Sequence, residues 1–268
     1  MALLPRPLEG EIAVVTGASS GIGAATAREL GRRGATVVLA ARREADLREQ
    51  VQRIQDQGGQ AQAVTADLRD PAAASELAAR ALAAHGRVDV LVNNAGVAWD
   101  RTVSASSPSE IADLVQVDLV TAMQLTSELL PGMLQRRHGA VICVGSLSGR
   151  VAMEPLYSAA KHGLRGFTLA LRRQLAGSGV AVSLVSPGKI DTAMARPPGG
   201  PPPQLVANAI AELVRRPRRE VIVPRRHHAL TWLEEVCPAV IDVACHVRNW
   251  SLEQEQAQAT EPQATRTP

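Results

Sequence analysis

From residue 11 to residue 186, short runs of β-branched and other apolar residues alternate with longer stretches of helical periodicity. The runs Glu11–Thr16, Thr36–Ala41, Ala61–Ala66, Val88–Asn93, Ala140–Ser146 and Val180–Ser186 are short and largely apolar, as strands covered on both faces must be. Between them, Gly21–Arg33, Ala45–Gln57, Pro71–His85, Ser109–Gln135 and Tyr157–Ala176 have the spacing of helices with one buried face. Crossovers of a dozen or more residues between strands require a parallel sheet, with helices on its two faces. The expected fold class is therefore α/β, a single doubly wound parallel sheet with helices on both faces.

The pattern changes after Ser186. Ala193–Pro203 holds five prolines and two glycines, which suits neither helix nor strand. A helix over Gln204–Arg216 and a last strand over Glu220–Pro224 follow. Ala229–Trp250 then reads as a helical segment interrupted by Pro238, with Leu230, Leu233, Val236, Val240, Val243 and Val247 as an apolar stripe. Ser251–Pro268 is polar and rich in Gln, Thr and Pro, the composition of a disordered tail. The expected organisation is one domain over residues 1–228, a helical segment over 229–250 lying on that domain or on a membrane surface, and the tail over 251–268.

Composition narrows the picture. At 268 residues, 46 % hydrophobic and a net charge of +3, the chain can bury a full core and is not disordered throughout. No apolar run approaches the roughly 20 residues that cross a bilayer. The start has no cleavable apolar stretch, so the expected location is cytoplasmic, with peripheral membrane contact open through 229–250. Cys143, Cys237 and Cys245 are too few and too scattered for a disulfide framework or a zinc site. His227 and His228 lack further ligand-type neighbours, and no metal is expected. Of 29 basic residues only Lys161 and Lys189 are lysines. Arg215, Arg216, Arg218, Arg219, Arg225 and Arg226 cluster without interleaved aromatics, which argues for a solvated surface and against nucleic acid.

Four candidate motifs lie at strand ends, where open α/β sheets bind ligands. The first strand runs into Thr16-Gly17-Ala18-Ser19-Ser20-Gly21-Ile22-Gly23, where a helix begins. Glycines there permit a tight turn and close approach of backbone to a pyrophosphate at a helix N-terminus. The second strand ends in Ala40-Ala41-Arg42-Arg43, with no acid before Glu44 to hold ribose hydroxyls. Arg42, with Arg43 beside it, suits a 2′-phosphate, so NADP(H) is expected in preference to NAD(H). Asp67-Leu68 ends the third strand and Asn93-Asn94-Ala95-Gly96 the fourth.

The most specific signal is Tyr157-Ser158-Ala159-Ala160-Lys161, which pairs the only tyrosine with one of two lysines. Four residues apart on a helix, both side chains share a face. A lone phenol is a sluggish acid–base catalyst at neutral pH, and one nearby ammonium supplies enough field to change that.

Together with Gly145-Ser146 and Ser186-Pro187-Gly188-Lys189-Ile190-Asp191-Thr192, these motifs make residues 9–225 resemble a short-chain dehydrogenase/reductase of the shorter, non-extended branch, which has a Rossmann fold. The resemblance implies hydride transfer between NAD(P) and an alcohol or carbonyl carbon. Tyr157 would exchange the hydroxyl proton, and Lys161 would make the phenol a stronger acid and bind the nicotinamide ribose. Ser146 would hydrogen-bond the substrate oxygen, while Pro187, Gly188, Ile190 and Thr192 would seat the carboxamide. The family pairs through its long helices, so a homodimer or homotetramer is expected.

Two departures stand out. Asp118 occupies the position of the family's helical asparagine, and Ser146 lies eleven residues before Tyr157, a shorter gap than the family's. Ser148 is the second candidate for the serine role. Trp99, Val151, Met153, Leu156 and Met194 are candidate apolar walls for a lipophilic carbonyl or secondary alcohol. The alternative reading is an NADP-binding sensor or scaffold of the same fold with impaired catalysis.

Overall fold

The computed structural model describes residues 8–97, 102–195 and 199–243. Seven strands form one sheet: β1 Ile12–Thr16, β2 Thr36–Ala41, β3 Gln60–Thr65, β4 Val90–Asn93, β5 Gly139–Val144, β6 Val180–Pro187 and β7 Glu220–Val223. Every pairing is parallel, in the order β3-β2-β1-β4-β5-β6-β7. The chain winds outward from β1 in one direction and from β4 in the other, so the carboxyl ends of β1 and β4 flank a crevice.

Alternate strand residues feed two cores, as the twofold repeat of a strand dictates. Ala13, Val15, Val37, Leu39 and Ile142 pack on one face; Val14, Val38, Leu91, Val141 and Leu184 pack on the other. The first face is covered by α1 (Gly21–Arg32), α2 (Glu44–Gln55) and α7 (Gln204–Arg215), through Leu30, Leu47, Ile54 and Ile210. The second is covered by α3 (Ala73–His85), α5 (Thr121–Arg136) and α6 (Pro155–Gln174), through Leu77, Leu125, Met133 and Leu164.

The helix expected over Ser109–Gln135 is not continuous. Ser107 and Glu110 form a capping box that starts α4 at Pro108–Val115. A π-turn, Gln116–Val120, then separates α4 from α5. Thr121 Oγ1 donates to the Gln116 carbonyl at 2.9 Å and to the Leu68 carbonyl at 3.2 Å, so side-chain bonds supplement the widened turn. Strand β5 also stops short of Ser146. That residue is extended (φ −157°) and caps a 3-10 turn, Leu147–Gly149, by accepting the Ser148 N–H at 3.1 Å.

Residues up to His227 form one compact unit and those from His228 a second. In the second, α8 spans His228–Val236, and helix resumes at Pro238 after a break at Cys237, where the proline predicted an interruption. Val247 of the apolar stripe, Cys245 and the tail lie outside the described residues, as does Trp99. Among the described residues, no helix is long and apolar enough to cross a membrane.

At the amino ends of the strands, Asp89 accepts the Ile12 N–H at 3.0 Å and pairs with Arg87 and Arg136, while His138 Nε2 lies 2.7 Å from Glu11. These groups staple β1 to β4 and β5 at the end remote from the crevice, and sequence spacing gave no sign of them.

Candidate active site

The glycine-rich turn is held shut from the fourth strand. Asn94 N–H and Ala95 N–H both donate to Thr16 Oγ1, at 3.0 and 2.9 Å, and Asn94 Nδ2 donates to the Thr16 carbonyl at 2.8 Å. Gly17 has φ +65°, a conformation that glycine adopts without strain. At Gly23 a Cβ would lie 2.3 Å from the Gly17 carbonyl oxygen and 2.5 Å from Asn94 Nδ2, so only glycine fits beneath the turn. Ser20 precedes α1, which opens with Gly21 and Ile22 and whose first amides face the crevice end of the sheet.

Of the neighbouring asparagines, it is Asn94 that serves the turn. Asn93 is buried, and its Nδ2 reaches Thr126 Oγ1 at 3.2 Å and the Ala122 carbonyl, toward α5. Arg43 is likewise better placed than Arg42: its Nη2 donates to Ser19 Oγ at 3.2 Å and Ser20 Oγ at 2.9 Å, and its Nη1 pairs with Asp46. Arg42 is exposed, and its charge, after the stronger hold of Arg69, helps keep the Asp67 carboxyl below the usual range. Asp67 is bonded to Arg69 through both oxygens, and Leu68 is buried against α5 through its carbonyl.

The chemistry-bearing helix, α6, begins at Pro155 in the first-turn position that proline tolerates. Lys161 is buried, with Nζ 5.5 Å from the centroid of the Tyr157 ring, so the predicted pair does share a face. Nζ also lies 3.1 Å from Asp118 Oδ2 and 3.5 Å from the Val144 carbonyl at the end of β5. Asp118 Oδ1 accepts the Val97 N–H at 2.7 Å, and Gly96 packs closely on the pair, where a Cβ would lie 3.2 Å from Asp118 Oδ2 and 3.3 Å from Lys161 Nζ. Burial pushes the Asp118 carboxyl up, against the pull of Lys161 and of the Val97 N–H. Burial, the largest single influence, opposes the Lys161 charge, but Asp118, Tyr157 and Cys143 together outweigh it and hold the ammonium above the ordinary lysine range.

Between the two serines the hydrogen bonds discriminate. Among the described residues, Ser148 Oγ donates to Glu154 at 2.9 Å, whereas Ser146 Oγ accepts the Ser148 N–H and has its proton available to donate. The segment after β6 returns over the turn: Ile190 is buried, and Thr192 Cγ2 lies 3.1 Å from where a Cβ on Gly21 would sit. Gly188 N–H donates to the Val223 carbonyl at 2.8 Å, and the His227 ring occupies the space a Gly188 side chain would need. Pro187 closes β6 directly before it.

A network that the sequence motifs did not point to joins these two segments. Arg150, which follows the 3-10 turn, donates twice to Glu220 of β7 at 2.8 Å, while Arg165 of α6 lies 3.5 Å from the same carboxylate and Ser186 Oγ donates to it at 2.8 Å. Burial alone would raise the Glu220 carboxyl, but Arg150 and Ser186, aided by Arg165, hold it below the usual carboxylate range. A folded-state value below the unfolded one stabilises above the unfolded pKa and is lost as pH falls through the folded value. Glu220→Ala, by leaving Arg150 and Arg165 without their anion, is expected to cost about 3–5 kcal/mol at neutral pH. Urea melts should show the gap between variant and parent narrowing in acid; a gap that widens there contradicts the assignment.

Of the proposed walls, Val151 is 1 % exposed and belongs to the core, whereas Met153 and Met194 are surface-exposed at the crevice-end loops and Leu156 is half-buried.

A doubly wound sheet with a glycine turn at its switch point and a Tyr–Lys pair beside it defines a nucleotide-dependent oxidoreductase. Residues 11–199 match the short chain dehydrogenase family, and the chain belongs to it. It is 37 % identical over 227 residues to the ketoacyl reductase HetN of Nostoc, covering 81 % of this chain and 79 % of that one. It is 37 % identical over 191 residues to the 3-oxoacyl-acyl-carrier-protein reductase of Escherichia coli, covering 70 % and 77 % of the two chains. Among solved structures, it is similar to a metagenomic short-chain oxidoreductase in complex with NADP, with a TM-score of 0.74 and 38 % identity over 81 % of this chain and 98 % of that one. The actinorhodin polyketide ketoreductase with NADPH gives a TM-score of 0.75 and 31 % identity, over 83 % and 97 %.

Proposed function

We propose that the protein is an NADP(H)-dependent reductase of 3-oxoacyl compounds, with Tyr157 as the proton donor to the substrate carbonyl. The observation that carries this reading is the sole tyrosine lying against a buried lysine at the strand ends, below a turn that only glycine can form. Gly17, Gly21 and Gly23 give the pyrophosphate backbone to approach, and Arg43, anchored on Ser19 and Ser20, with Arg42 beside it, supplies charge for a 2′-phosphate. When bound, the nicotinamide supplies the hydride. The remaining work falls to this chain: Ser146 Oγ–H and the Tyr157 phenol hold the carbonyl oxygen, the phenol yields its proton as the alcohol forms, and Lys161 stabilises the phenolate left behind. Relatives named as ketoacyl reductases support the 3-oxoacyl class, as do Met153, Leu156 and Met194 as partly exposed apolar neighbours for an acyl chain.

The test follows NADPH oxidation with 3-oxoacyl thioesters and simple ketones, with NADH as comparison. Faster turnover of the thioesters with NADPH is expected; equal rates with both cofactors, or none with any carbonyl, defeats the reading. In the same assay, replacing both Arg42 and Arg43 with Ala removes charge-assisted contacts and is expected to raise the NADPH Kd about 10-fold or more while leaving NADH unchanged. Parallel losses for both cofactors would move the arginines away from the 2′-phosphate.

A further inference from the structure

Lys161 does not face the phenol alone. Its ammonium lies 3.1 Å from the carboxylate of Asp118, whose side chain is itself wholly buried. The π-turn carrying Asp118 is bounded by the Thr121–Gln116 contact, and the Val97 N–H fixes the second oxygen, so the carboxylate is aimed rather than incidental.

The chemistry of reduction gives this pairing a consequence. The carbonyl π bond breaks, a C–H bond forms with the electron pair of the incoming hydride, and an O–H bond forms with the phenolic proton. A phenolate remains, and it regains a proton from solvent before the next turnover. Whatever favours phenolate lowers the pH at which the proton donor is lost. The ammonium favours phenolate, and a carboxylate in contact with that ammonium cancels part of its field.

We propose that Asp118, through its ion pair with Lys161, extends carbonyl reduction toward alkaline pH by keeping the Tyr157 phenol protonated there. This rests on the reductase reading above. Asp118 touches neither substrate nor phenol and is a positioning residue, acting through Lys161. It moves the range of pH over which the protein works and leaves the overall equilibrium untouched.

Several other charged groups on the elements around α6 are engaged elsewhere. On α6 itself, His162 Nδ1 contacts the Ser158 carbonyl and Arg165 is drawn to Glu220. Beyond β5, Arg150 is held by Glu220, and Glu154 accepts from Ser148. From α4, Glu110 is tied to Ser107, and Asp113 acts on Arg69. Among the described residues, the buried Cys143 thiol of β5 also acts on Lys161, beside Tyr157 and Asp118, and burial pushes it up, toward the neutral form.

Because the chain has a single tyrosine, the phenolate band in its ultraviolet spectrum reports Tyr157 alone. The experiment titrates that band in the full-length protein and in Asp118→Asn, which keeps an acceptor for the Val97 N–H but loses the charge. The ionisation midpoint is expected about 1 pH unit lower in the variant, within the span an opposite charge at contact range produces. The alkaline fall of kcat/KM for NADPH-dependent reduction should move by the same amount. Asp118→Ser, also uncharged, serves if Asp118→Asn melts prematurely. Coincident midpoints in parent and folded variant overturn the proposal. Shifted midpoints with no turnover of any carbonyl uphold the charge coupling and defeat only the reductase reading.

Discussion

Tyr157→Phe is expected to lower kcat for carbonyl reduction by about 10²–10⁴-fold, the range a positioned proton donor contributes, while NADPH still binds. The substitution removes one oxygen from a half-buried ring and leaves the Lys161–Asp118 pair in place, so neither packing nor charge balance changes much. Stopped-flow or steady-state NADPH oxidation gives kcat, and fluorescence titration gives the cofactor affinity. Retained turnover would remove Tyr157 from the reaction; lost turnover with lost binding would instead mean that the ring shapes the cleft.

Lys161→Met is expected to fail in two ways at once. It strands the Asp118 carboxylate, whose side chain is 0 % exposed, without its cation. Breaking such a pair from one side costs about 3–5 kcal/mol, or a fall in Tm of roughly 10 °C for a domain of this size. The sign of the pH dependence follows from the orphaned acid. Its folded-state pKa lies above the unfolded one, so the folded state binds more protons, and stability falls as pH rises between the two values. Thermal melts of the variant should therefore improve in mild acid relative to the parent, and Asp118→Asn placed on top of Lys161→Met should recover much of the loss. A variant as stable as the parent across pH would show that the pair carries little of the fold. Turnover should be lost with or without that recovery, since no ammonium then meets the phenolate.

The two arginine–carboxylate sites near the crevice illustrate what a motif can and cannot convey. Asp67-Leu68 was readable because it ends a strand, yet its carboxylate is taken up locally by Arg69. Glu220 begins an unremarkable edge strand and carries no motif, but three elements converge on it. Its partners are 34 to 70 residues away in the chain, beyond any periodicity a sequence window can register. Similarly, Asn93 and Asn94 are indistinguishable as a dipeptide. A strand sends successive side chains to opposite faces, so one turns to α5 and the other to the glycine turn.

Periodicity and strand-end motifs alone determined that this chain forms a doubly wound parallel sheet, that a glycine turn opens its first helix, and that Tyr157 and Lys161 share a helical face. Each of these depends on residues within a few positions of one another, where backbone geometry leaves little choice. The tertiary structure decided which arginine is anchored at the turn, which serine keeps a proton to donate, and that a π-turn brings Asp118 against Lys161. Those outcomes depend on burial and charge compensation between segments remote in sequence, and burial is a property of the packed molecule rather than of any stretch of the chain.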